Sequence, residues 1–212
     1  MFLVQITLNN TLTYYGALSH YGEDIPLACV GVISKVNILM LGFTLGISQG
    51  CQPIFSYNYG ARQYSRVREA YRKAIVAASI ICCIAFVCFQ LFPRPIVALF
   101  DPSGSEEYFQ FAERYFRIYM FMTLANAFQP ITANFFTSIG KAKRGALIAL
   151  TRQVIFLIPL ILIFPLFLGI DGVMYAGPIA DSAAVVVALA LVTREMKRMP
   201  HVDEPVAADT LV

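Results

Sequence analysis

The sequence predicts an all-α protein, a multipass transmembrane bundle of six helices, and three observations carry that prediction. Hydrophobic residues make up 58% of the 212 and charged residues 14%, which leaves too little polar surface for a soluble domain of this length. Six apolar runs, at 1–18, 25–56, 74–92, 115–137, 145–168 and 176–193, mostly come close to the roughly 20 residues a helix needs to cross a bilayer core. The connections between them alternate in sign. Residues 18–25 carry Glu23 and Asp24, and 60–73 carry Arg62, Arg66, Arg68, Arg72 and Lys73 against Glu69. Residues 93–107 carry Asp101, Glu106 and Glu107 against Arg94, 140–144 carry Lys141, Lys143 and Arg144, and 169–175 carry Asp171 alone. Cytoplasmic loops retain Lys and Arg, so the basic connections and the carboxy-terminal segment are placed in the cytoplasm of a cell with a plasma membrane, and the acidic ones outside. Backbone groups cannot stay unpaired in hydrocarbon, so the runs are helices, and none has the short alternation of a membrane β-barrel.

The first run opens at Met1 with neither a basic n-region nor a small-residue cleavage site, so it is no signal peptide and reads as a helix cut into. Its Gln5, Asn9 and Asn10 are expensive against lipid and cheaper against a cavity. The second run is too long for one straight crossing. Gly42, Gly46 and Gly50, four apart, form a smooth ridge for a neighbouring helix, and Pro53 beyond them makes a hinge. Lys35 lies about 15 Å from the outer end of this run, near the midplane, and must face protein or water. It is either an ion-relay or gating charge or, as preferred, a cation held by carbonyls or a carboxylate. Cys29, Cys51, Cys82, Cys83 and Cys88 all fall inside runs, without metal-ligand spacing, and read as reduced packing residues. Residues 93–109 form the long external connection, whose Ile96, Val97, Leu99 and Phe100 suggest a short segment in the outer interface.

The fourth run carries Asn126, Gln129 and Asn134 around Pro130, and further weak points stand at Pro159, Pro165 and Pro178. Arg152, near the cytoplasmic end of the fifth run, is placed as a snorkelling side chain. Asp181, in the first turns of the sixth, is given a cap-like role in preference to an ion-coupling one. Residues 194–212 form a cytoplasmic tail predicted to be disordered.

Enzymatic chemistry finds no support. Gly46, Ser48 and Gly50 spell a GxSxG elbow without the strand, turn or partner histidine it requires. The SxxK spelling at 138–141 is a helix end, and the glycosylation spelling at 9–11 lies within the bilayer. His20 and His201 stand alone in water-facing sequence. The net charge of +3 is dispersed over membrane-proximal turns, which argues against nucleic acid. There remain the uncharged polar residues Gln5, Asn9, Asn10, Asn37, Gln49, Gln52, Asn126, Gln129, Asn134 and Gln153. Some serve as interhelical glue, and the others line a cavity with Phe43, Phe121, Phe128 and Tyr14, a surface suited to bulky amphipathic compounds.

The tract GISQGCQPIFSYNYGARQYSRVREAYRKAI, residues 46–75, resembles the multidrug and toxic compound extrusion (MATE) transporters. In that family a helix ending in Gly-x-x-Gln-Gly-x-Gln-Pro-Ile precedes Tyr-Asn-Tyr-Gly-Ala and a basic loop. Gln49, Gly50, Gln52, Pro53, Ile54, Tyr57, Asn58, Tyr59, Gly60, Ala61 and Arg62 match it. Ser138, Gly140 and Lys141 leading to Arg152, Gln153 and Pro159, then Gly169 to Val173 and Gly177 to Asp181, look like the family's last two helices. The resemblance implies one lobe, the carboxy-terminal one, of a twelve-helix transporter whose two six-helix lobes exchange Na⁺ or H⁺ for drugs by alternating access. It implies no cofactor beyond the coupling ion. The implied partners are the bilayer, an amino-terminal lobe, and organic small molecules, cationic ones among them, in a bacterial cell membrane. Coupling carboxylates that some members place in this lobe have no counterpart in the first or fourth run, where Asn9, Asn10 and Asn126 stand. The rival readings are a non-transporting assembly subunit and a lobe of a lipid or polysaccharide flippase, and the tract from Gln52 to Ala61 favours the drug-exporting branch.

Overall fold

A computed structural model of the chain describes residues 2–102, 104–200 and 203, and every regular element among them is helical. The helices are α1 (Phe2–Ala17), α2 (Asp24–Gly60), α3 (Tyr64–Leu91), α4 (Pro93–Ala98), α5 (Glu106–Tyr119), α6 (Ala125–Ser138), α7 (Ala142–Leu150), α8 (Ile158–Leu168) and α9 (Ile170–Arg198). A 3₁₀ turn at Met120–Met122 joins α5 to α6, and π-helical turns at Thr151–Leu157 join α7 to α8. The result is six successive rods, with α4 as a short helix on the long connection that the sequence assigns to the interface. α2, α3, the joined Ala142–Leu168 and α9 are each long and apolar enough to cross a membrane.

Three helices start six or more residues earlier than their apolar runs. α3 begins at Tyr64 rather than 74, the fourth rod at Glu106 rather than 115, and α9 at Ile170 rather than 176. The first turns of each carry charge, because helices continue past the hydrocarbon, where apolarity no longer marks them. The second run does not fold back. α2 stays helical for 37 residues, about 55 Å against a core of about 30 Å, so its ends project beyond the bilayer.

The prolines do not interrupt the helices. α2 runs through Pro53, α6 through Pro130, α8 through Pro165 and α9 through Pro178. Pro159 alone adjoins a change of helix type. The changes fall at Thr123 and Thr151, whose hydroxyls donate to the carbonyls of Met120 and Leu147 and so compete with the backbone ladder.

Phe55, Phe111, Tyr115, Phe116, Phe135 and Phe136 are fully buried, and they fasten α2, α5 and α6 together, with Phe55 edge-on to Phe135 at 5.4 Å. Large apolar side chains also cover the outside, among them Ile38, Leu39, Ile84, Leu166 and Phe167, as lipid requires. Of the five free cysteines, Cys29 and Cys82 are buried and do pack, whereas Cys83 and Cys88 face outward.

The charges sort to opposite ends of the bundle. At one end Lys141 and Arg144 both pair with the buried carboxylate of Glu195. There too Arg68 donates to the carbonyls of Met199 at 3.0 Å and Pro200 at 2.7 Å, and the Ser65 amide donates to Asp203 at 2.9 Å. At the other end Arg94 grips Glu106 through two hydrogen bonds of 3.1 and 2.7 Å, and Arg114 meets Asp171 at 2.9 Å. The tail predicted to be disordered from residue 194 is instead helical as far as Arg198, the end of α9, and beyond Pro200, Asp203 apart, it lies outside the described residues, His201 included.

Both ends can be tested. Replacing both Lys141 and Arg144 by Ala strands a buried carboxylate and is expected to cost about 3–5 kcal/mol. Glu195→Gln should lower the unfolding midpoint of the detergent-purified chain far less, and equal losses would contradict the clamp. The hydrogen bond and charge of Arg94 hold the Glu106 carboxyl below its usual value. Its folded-state value being the lower one, the tie is complete above the ordinary glutamate value of about 4.3 and fades as pH falls through the lowered one. Amide protection factors in α4 and α5, corrected for the intrinsic pH dependence of exchange, should therefore stay flat down to that range and fall only beneath it.

Candidate functional site

Two cavities sit side by side in the bundle and share Leu41, Arg152 and Gln153 as their common wall. The larger, about 730 Å³, is open on one side. α2 contributes Ser48, Gln49 and Gln52, α6 contributes Gln129, Pro130 and Asn134, α7 contributes Gly145, Ala146 and Ala149, and the π turns contribute Arg152 and Gln153. The smaller, about 120 Å³, is lined by Gln5 of α1, Ser34 and Asn37 of α2, Tyr119 of α5, and Gly177 of α9.

Local packing explains the larger cavity's shape. α6 and α7 lie very close: a Cβ on Gly145 would stand 2.6 Å from the Ala133 carbonyl oxygen, so only glycine admits that approach. Across the cavity floor α2 and α6 are stitched by polar groups. The Ser48 hydroxyl donates to the Pro130 carbonyl at 3.3 Å, and the Asn134 amide donates to the Ser48 carbonyl at 2.9 Å. Gln129 donates to the Ile148 carbonyl at 3.2 Å, and Asn126 donates to Asn37 at 3.3 Å. Ser48, spelled as a nucleophile, is thus a mid-helix cross-link.

Arg152 departs from its expected place. The sequence sends it to the interface and makes Asp181 a cap, but the Arg152 Nε donates to Asp181 Oδ1 at 2.5 Å, and the two side chains are only 13% and 10% exposed. Asp181 cannot cap, because α9 starts eleven residues before it. A guanidinium this deep is held far better by a carboxylate than by a stretch toward water. Tyr119 packs beside the pair against α9, where a Cβ on Gly177 would stand 2.6 Å from its ring.

The other expected residues divide clearly. Gln49, Gln52, Gln129 and Asn134 converge on the larger cavity, and Gln5 on the smaller. Asn9 accepts a hydrogen bond from Gln5 at 3.1 Å; neither it nor the exposed Asn10 lines either cavity. Lys35 is exposed on α2 and has no ion-pair or hydrogen-bond partner among the described residues, so the expected carbonyl or carboxylate partner is not in this chain's described part. The Gly42, Gly46 and Gly50 ridge also faces outward, with no described side chain within 4 Å of any Cβ placed there. Tyr14, Phe43 and Phe121 are more than half exposed and line neither cavity. Sequence reasoning misses Ser48, Tyr119 and the Arg152–Asp181 contact. One signal for the last is available: both residues flank the Gly169 turn on consecutive antiparallel rods.

The MatE family model matches residues 1–163. The multidrug export protein MepA of Staphylococcus aureus (strain bovine RF122 / ET3-1) is 23% identical over 175 residues, covering 82% of this chain and 38% of MepA. The chain thus spans about two fifths of the length of the curated relatives it matches. Among solved structures, the MATE multidrug transporter DinF-BH is 32% identical with a TM-score of 0.77, over 91% of this chain and 42% of that one. A MOP superfamily transporter from Pyrococcus furiosus shares the fold with a TM-score of 0.83 at 19% identity, over 94% of this chain and 43% of that one.

Removing the α2–α6 stitches tests the wall. Asn134→Ala and Ser48→Ala are each expected to cost about 0.6 kcal/mol and at most about 1.7. The two share the Ser48 residue and the Pro130 turn, so the double variant should cost less than their sum. Strict additivity in unfolding measurements would show that the two bonds do not act together.

Proposed function

The chain belongs to the MatE family, and we propose that it works as the carboxy-terminal lobe of a cation-coupled exporter of bulky amphipathic compounds, with a second six-helix lobe completing the transport path. The observation that carries this reading is the open cavity of about 730 Å³, walled on one side by amides from α2 and α6 and by Arg152 and Gln153. Gln, Asn and Ser side chains both donate and accept, so such a wall accommodates compounds of varied shape without one fixed hydrogen-bond pattern. An open wall of this size needs a facing wall to shut out lipid and water.

The chain's own outer face supports a second lobe. Gly42, Gly46 and Gly50 leave α2 smooth on a side that no described helix covers, which lets another helix approach closely. Lys35 stands on α2 just outside that ridge, a cation at membrane depth whose partner must come from elsewhere. Rocking of two such lobes opens a shared site to either face in turn, and an ion that binds one state more tightly biases the exchange. Na⁺ or H⁺ fills that role in this reading, with the basic turns and the carboxy terminus in the cytoplasm.

Proteoliposomes holding this chain alone should show no ion-gradient-driven dye efflux above empty vesicles. Co-reconstitution with a six-helix amino-terminal lobe should restore it, and Gln52→Ala or Asn134→Ala should lower that restored rate by about tenfold, the size of a lost wall contact of about 1.4 kcal/mol. Efflux by the chain alone would refute the half-transporter reading, and full activity with both substitutions would point to a scaffold.

A further inference from the structure

A further hollow, about 520 Å³, lies between α2 and α3, within the range of about 300–1,000 Å³ that small-molecule sites occupy. α2 supplies Ile47, Cys51, Ile54 and Asn58, whose spacing puts them on one face. α3 supplies Ala70, Ala74 and Ala77, whose small side chains leave the space open, and toward its start Arg66, Glu69 and Lys73. An adjoining hollow along α3 shares Glu69, Lys73 and Ala77 and adds Arg72. At about 3.6 residues per turn, three sets of α2 residues lie roughly a third of a turn apart: those of this groove, those of the cavity (Ser48, Gln49 and Gln52), and the glycine ridge. The groove therefore opens neither into the cavity nor along the ridge offered to a second lobe. Ile54 on its rim and Val76 and Ile80 beside it are exposed, as on a surface that meets lipid. Arg66 and Ala77 stand about 16 Å apart along α3, close to the roughly 15 Å of hydrocarbon in one leaflet. The groove thus has a charged mouth and an apolar floor. Its charge is unbalanced as well: Glu69 is taken by Lys73 at 2.7 Å, and neither Arg66 nor Arg72 has a hydrogen-bond or ion-pair partner among the described residues. Three cations face one carboxylate.

We propose that this groove binds an anionic phospholipid of the leaflet at the basic end of the bundle, with its phosphate head on Arg66 and Arg72 and an acyl chain laid over Ala74 and Ala77 against Ile47 and Cys51. Arginine matches phosphate through paired N–H bonds, and basic pockets between membrane helices take anionic head groups. The surplus positive charge favours such a lipid over a zwitterionic one, whose head brings no net charge. A free phosphate would leave the apolar floor uncovered, and an acidic peptide would carry its polar backbone below the head-group level. The lipid lies against the back of α2, the helix whose other face carries Gln49 and Gln52 into the cavity. Binding there needs neither a second lobe nor transport.

Native mass spectrometry of the detergent-purified chain, given equal amounts of phosphatidylglycerol and phosphatidylcholine of one acyl composition, tests this. Phosphatidylglycerol should be retained at least fivefold more than phosphatidylcholine. Glycerophosphoglycerol, the same head without acyl chains, should be retained at least tenfold less than the whole lipid. Arg66→Gln with Arg72→Gln, both at exposed positions that the fold does not depend on, should abolish the preference. Lys197→Gln with Arg198→Gln removes two charges from the same end outside the groove and should keep it. Ala77→Phe, at an exposed position on the floor, should lower phosphatidylglycerol retention at least threefold with every charge in place. Equal retention of the two lipids, equal losses from the two charge pairs, or retention untouched by Ala77→Phe would overturn the proposal. Retention of the bare head as strong as that of the lipid would mark a soluble-anion site and overturn it too.

Discussion

The contact on which the rest of the site depends is the ion pair between Arg152 and Asp181. Hydrocarbon tolerates a charge only where protein or water answers it, and at Arg152 and Asp181 the chain meets that condition by placing two opposite charges, both largely buried, against each other. Because they come from consecutive rods, the pair also closes the last hairpin: the π turns of Thr151–Leu157 on one side and the middle of α9 on the other. The broader π turn carries more residues per unit of length than an α-turn, which helps bring Arg152 level with Asp181 although they stand unequal distances from Gly169. Tyr119 fills the remaining space, admitted by the missing side chain of Gly177.

The same rule organises the ends of the bundle. Glu195 is buried but doubly paired by Lys141 and Arg144, and Arg94 and Arg114 answer acids on the opposite end. These pairs tie residues on different helices to one another at each end. On the wall of the larger cavity several uncharged polar groups face open space. Its amides are only partly consumed by α2–α6 cross-links, and the remainder give the larger cavity its character.

Much of this is legible in the sequence because its strongest signals are local. Composition and run length give an all-helical membrane bundle, the sign of each connection gives the sorting of ends, and the Gln49 to Arg62 tract marks the family. Of the site, Gln49, Gln52, Gln129 and Asn134 are readable as cavity residues because amides have few other reasons to sit in an apolar run. Arg152 and Asp181 are not, since sequence weighs each against its own helix: one looks close enough to an interface, the other close enough to a helix start. The apolar run places the start of α9 six residues late, as Asp171 and Gly172 resemble a loop by composition, and that shift alone turns a mid-helix acid into a cap. Lys35 and the glycine ridge are the reverse case. Their types call for a partner, but that partner is not among the described residues, and no local pattern says on which molecule it lies.

A double-mutant cycle on Arg152 and Asp181 tests the central claim most directly, with unfolding free energies measured on the chain in bicelles for Arg152→Gln, Asp181→Asn and the two combined. The account predicts that each single substitution destabilises more than the pair together, because each leaves one buried charge unanswered. Additive costs would mean that the two charges are not in contact, and the cavity wall built on them would fall with that contact.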